Sequence, residues 1–129
     1  MKPLWMRMFA GFFWFFVGLF IGLAICNSRS QEWKTTDKVL LGTYAAASLA
    51  DAMQTDAGIK SGKYIETNPV FGEHPSTARI YLTKAAFGGL IYWLADSFPE
   101  NRRTILWIAN GLQIGVVAHN ASIGMKVKF

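Results

Sequence analysis

Asp51, Glu66 and Lys84 are the residues of this chain whose types and surroundings point most directly to chemistry. Asp51 is a carboxylate inside an otherwise apolar stretch, LLGTYAAASLADA, where an unpaired charge is costly to bury. Glu66 follows in a polar connector, in the run Glu66-Thr67-Asn68-Pro69, and Lys84 lies in the next apolar stretch. Two carboxylates held together shift one another's proton affinity and make an acid/base pair. A carboxylate held against a lysine makes an ion pair that neutralises two expensive charges instead. The catalytic reading therefore takes Asp51 and Glu66 as acid/base groups with Lys84 beside them. The structural reading pairs Asp51 with Lys84 and leaves Glu66 solvated.

Polar residues around these three give candidate binding positions. Ser48, Asp51 and Thr55 are spaced i, i+3, i+7 and so share one helical face, with Tyr44 one turn earlier. Asn110, Gln113 and Asn120 fall on one face of the last apolar stretch, with His119 beside it. They read either as ligand contacts or as hydrogen-bonding glue between helices. Asn68 is a further candidate, but Asn68-Pro69 also reads as a helix cap followed by proline at the first helical position. Asp51, Glu66 and His119 would suit a hard metal ion or zinc. No HExxH-like spacing supports that set, so no metal is assigned and the cofactor is left open. A Gly-rich phosphate loop, a serine elbow and an internal repeat are all absent from the sequence.

The elements that must position these residues are hydrophobic segments. The chain has 129 residues, enough for one domain. It is 52% hydrophobic and 16% charged, against about 25% charged in an ordinary soluble domain. Its mean hydropathy is +0.24. The net charge of +5 is scattered, which suits anionic lipid rather than nucleic acid, whose binding usually calls for a clustered basic face. The single cysteine, Cys26, excludes an internal disulfide and a cysteine-type zinc site. Four membrane spans are expected, over 9–26, 38–56, 78–98 and 104–124. The first, Phe9–Cys26, runs eighteen residues without a charge. Its end resembles a lipoprotein cleavage box, but Ile25 fits that box poorly, so a retained span is expected.

Between the spans, Trp33 is placed as an interfacial anchor, and Thr36 or Asp37 as a helix cap. Gly58 and Gly62 permit a reversal after the second segment, and Ser76 or Thr77 caps the third. Val70-Phe71 would expose an apolar pair unless the connector folds back, so a re-entrant loop is expected to cap the polar end of the second helix. Pro99 to Arg103 forms a tight turn, and the tail Met125–Phe129 is a basic, amphipathic lipid contact. Gly18/Gly22 and Gly111/Gly115 give two GxxxG faces for close packing or self-association.

The pattern Asp51-x3-Thr55, then Glu66-x-Asn68-Pro69, then Lys84, resembles small bacterial multi-span membrane proteins of unknown function. The resemblance covers about residues 38–124, and Asp-x3-Thr with Glu-x-Asn-Pro is its most specific part. It implies a compact helical membrane bundle around this polar cluster, and carries no activity, cofactor or partner.

The expected fold is thus an all-α, four-transmembrane-helix bundle in a bacterial inner membrane. A small excess of Lys and Arg predicts both termini to be cytoplasmic. Three functions are expected in order: binding of a lipid headgroup or a partner's membrane segment, catalysis on a lipid-linked substrate, and oligomeric ion or proton conduction. The partners expected are membrane lipids, another membrane protein or a second copy, with no nucleic acid.

Overall fold

The computed structural model describes residues 31–66 and 70–127. These form three helices: α1 (Thr35–Lys60), α2 (Thr77–Ser97) and α3 (Arg102–Ser122). The first expected span, residues 9–26, lies outside the described residues.

Each helix starts and stops for local reasons. The Lys34 backbone N–H donates to the Asp37 carboxylate at 3.1 Å, so Asp37 satisfies a free donor at the start of α1 rather than capping it directly. α1 passes through Gly58 and ends at Ser61, before Gly62 turns the chain with a φ of 71°. Ser76 caps α2, its hydroxyl accepting from the Arg79 backbone N–H at 3.2 Å. Phe98–Asn101 makes the short turn into α3, so α2 and α3 run antiparallel.

Hydrophobic burial is modest and split in two. Leu40, Ala95 and Leu106 pack near the start of α1, with Trp33, Leu41, Ile91 and Ile105 against them. Ala52, Phe71 and Ile80 pack further along α1, with Tyr81 against them. Phe71 brings the connector onto the bundle, while its neighbour Val70 stays 48% exposed.

No described helix is long and apolar enough to cross a membrane. That overturns the four-span bundle, the inner-membrane location, and the three membrane functions expected from the sequence, lipid-headgroup binding, lipid-linked catalysis and ion conduction. The physical reason is dilution by polar residues at helical spacing. α1 carries Asp37, Lys38, Asp51, Asp56 and Lys60, and α2 carries Arg79, Lys84 and Asp96. In α3 the charges stand at Arg102 and Arg103, but Asn110, Gln113, His119 and Asn120 interrupt the apolar run. The expected bounds of the last three segments nevertheless fall within four residues of α1, α2 and α3.

Candidate functional site

Asp51 is the meeting point of the three helices. It is 2% exposed. From its own helix, the Thr55 hydroxyl donates to Oδ1 at 3.4 Å. From α2, the Lys84 ammonium donates to Oδ2 in a direct ion pair. From α3, the Gln113 amide donates to Oδ2 at 2.9 Å and the Asn120 amide to Oδ1 at 2.8 Å. Lys84 also lies 5.8 Å from the centre of the Phe71 ring, so the connector closes over the ion pair. The i, i+4 spacing of Asp51 and Thr55 and the i, i+7 spacing of Gln113 and Asn120 bring three donors onto one carboxylate, and Lys84 of α2 supplies the fourth.

A carboxylate has about four lone-pair positions. Here two donors reach each oxygen, the Thr55 hydroxyl being the most distant of the four. Among the described residues, no group of three or more His, Cys, Asp or Glu is placed to hold a metal.

The remaining sequence candidates divide. Ser48 is buried beside Tyr44, one turn from Asp51. Burial and then the Asp51 charge push the Tyr44 hydroxyl above its ordinary value, with a smaller opposing effect from its hydrogen bond with Ser48. Asn110 works elsewhere, donating to the Leu40 carbonyl at 2.9 Å and the Leu106 carbonyl at 2.8 Å. It locks α3 to the first half of α1. Glu66 does not enter the Asp51 set, and its backbone N–H donates to the Glu73 carbonyl at 3.1 Å. Asn68 lies outside the described residues. His119 is exposed on α3.

Two buried polar groups were not singled out by the sequence. Arg102 is 3% exposed and donates to the carbonyls of Ala95 at 2.9 Å, Glu32 at 3.2 Å and Gln31 at 3.0 Å. Its guanidinium lies 4.5 Å from the Trp33 ring centre, with the Asp37 carboxylate 3.9 Å away. Trp33 in turn stacks on Tyr92 at 5.4 Å and donates to Asp96 at 2.8 Å. The expected interfacial anchor, Trp33, therefore carries Arg102 and Tyr92 on its ring, a contact that no spacing in the sequence signalled. Gln54 is 3% exposed and reaches the Val117 and Met125 carbonyls only at 3.4 and 3.5 Å. Its own oxygen is buried without a partner.

A shallow cavity of about 170 Å³ sits at the far end, lined by residues including Gly58, Lys63, Tyr64 and Met125. Met125 is buried in it, and the Tyr64 hydroxyl donates to the Ile123 carbonyl at 2.8 Å. The tail thus folds onto the end of α1.

The outward face of α3 is the opposite of its inward one. Trp107, Ile108 and Leu112 are 61%, 59% and 69% exposed. Gly111 and Gly115 lie at the centre of that face, and a methyl group built on either would meet nothing within 4 Å. The chain matches no protein-family profile, and neither curated proteins nor solved structures contain a match to it. Function has to be argued from this geometry.

Proposed function

We propose that this chain works by association rather than catalysis. The Asp51 cluster is a structural lock, and the outward face of α3 is the working surface, which takes an apolar protein segment. The observation that carries this reading is the inverted placement of polarity. The carboxylate that a reaction would need is enclosed and held by donors from all three helices. The large apolar side chains that a core would need are on the outside of α3. Exposed apolar patches of this kind mark interaction sites. The open glycines give a helical segment room for close backbone approach.

Thiol accessibility tests the reading. In a Cys26→Ser background, Leu112→Cys on the α3 face is compared with Glu100→Cys in the exposed turn, both in the folded full chain. An occupied face makes the Leu112→Cys thiol react with a maleimide at least tenfold more slowly. Equal rates for the two at every protein concentration, and also in the presence of an added apolar helical peptide, overturn the proposal.

A further inference from the structure

Resting on that reading, we infer that the partner on the α3 face is a second copy of this chain, the two α3 helices lying antiparallel about a two-fold axis near Gln113. The spacing of the outward residues calls for a helix as the occupant. Thr104, Ile108, Gly111, Gly115, Ala118 and Ser122 follow one another at intervals of four and three residues. That spacing keeps a continuous seam turned towards a facing helix. The inward seam of α3, with Asn110, Gln113 and Asn120, is already filled by α1. The outward seam is exposed at all six positions.

Side-chain size along the seam selects the copy and its direction. In the first half Ile108 is flanked by Trp107 and Leu112, all three exposed and large. In the second half the seam is small, with Gly115, Ala118 and Ser122, and Ala121 beside it. A parallel copy would set bulk against bulk at one end and leave a gap at the other. An antiparallel copy lays the Trp107 end over the small end twice, once from each chain, as a two-fold contact requires. Positions 104 and 122, 108 and 118, and 111 and 115 then face one another, each pair equally far from Gln113. Leu112 and Ile114 flank the axis, where each closes against its own equivalent. Charge selects the same direction. Residues 104–122 hold no Asp, Glu, Lys or Arg, so the contact buries no unpaired charge. Parallel helices would bring Arg103 beside its own copy. Antiparallel ones carry its half-exposed guanidinium to the C-terminal end of the other α3, the negative end of the helix dipole.

Disulfide trapping between mixed full-length chains, all carrying Cys26→Ser, tests the inference. One chain carries Ile108→Cys and the other Ala118→Cys, positions about 15 Å apart along a single helix. The expected result is a mixed covalent dimer that forms at least tenfold faster than either chain's disulfide with itself. Thr104→Cys mixed with Ser122→Cys is a second pair on the same register, in case the first fails to fold. Adding Gly115→Leu to both chains, at a position open in the single chain, should slow the mixed reaction at least tenfold. Equal or faster self-trapping, or no covalent dimer at any protein concentration, overturns the inference. The Leu112→Cys labelling rate separates the two levels of failure. When trapping fails, a thiol that is protected at every dilution, or only by an added apolar helical peptide, rejects the second copy alone. A thiol labelled freely under all these conditions rejects the association reading with it.

Discussion

At the residue scale, the chemistry of Asp51 follows from counting its donors. Four of them meet one carboxylate, so removing its charge strands Lys84 in a largely enclosed position. Asp51→Asn is expected to cost about 3–5 kcal/mol, the usual range for breaking a buried ion pair. Adding Lys84→Met should recover part of that loss, because the stranded ammonium is gone. Urea unfolding of the four members of this cycle measures it; losses that simply add would mean the two residues act independently. Glycines make a second contrast. A methyl group on Gly58 would lie 2.4 Å from the terminal carbon of Met125, a flexible end that can swing away. Helix propensity favours alanine there by up to about 1 kcal/mol. Gly58→Ala should therefore leave stability within about 1 kcal/mol of the parent while speeding amide exchange at Met125. Gly62 has open space around it but a φ of 71°. Gly62→Ala should cost about 1–2 kcal/mol through backbone strain alone, read from the same denaturation curves. The Ser48-Asp51-Thr55 and Asn110-Gln113-Asn120 stripes were legible in the sequence because helical spacing alone puts them on common faces. Arg102 and Gln54 were not: an arginine in a polar turn ordinarily faces water, and only the folded chain brings Trp33 and three carbonyls to it.

At the scale of elements, the joint between α1 and α2 is held by Asp56. Its carboxylate accepts from Thr77 at 2.6 Å and from Lys60 at 2.7 Å. Partial burial pushes its proton affinity up, but the bonds from Lys60 and Thr77 outweigh that and hold it below the ordinary carboxyl value of 3.8. A carboxyl lowered on folding stabilises the folded state fully above its unfolded value and loses that contribution as pH falls through the folded one. Acid should therefore loosen the α1–α2 joint only below about pH 3.8. Thr77→Val should move the Asp56 titration upward, which carbon-13 NMR of the side-chain carboxyl reads directly. An unchanged titration would show that the Thr77 bond has no energetic weight. Helix ends were the most legible elements of the fold, since Ser76, Gly62 and the Pro99 turn act over a few residues. Their environment was less legible. An uncharged outer face looks the same in sequence whether it meets lipid or another part of a protein, and the inward polar stripe lowers hydropathy without shortening the helix.

At the scale of the whole molecule, two locks of different reach divide the work. Asp51 joins all three helices, whereas Arg102 joins the α2–α3 turn to the residues that precede α1. Hydrogen exchange should separate them. Asp51→Asn is expected to raise exchange in α1, α2 and α3 together, while Arg102→Leu should raise it mainly in residues 31–40 and around Ala95. Uniform loosening by both would mean that the bundle has no separable ends.

The Asp51 lock also sets an order of events for a chain that is being made. Its donors from α3 stand 62 and 69 residues further along. At synthesis rates of about 5–20 residues per second, Asp51 leaves the ribosome several seconds before Asn120 exists. Through that interval α1 has a carboxylate that stays hydrated, which opposes any early burial of its inward face. α1 and α2 can then settle only provisionally, and the arrival of α3 supplies the two amides that close the bundle. Premature packing is thus held open by hydration until the last helix is present.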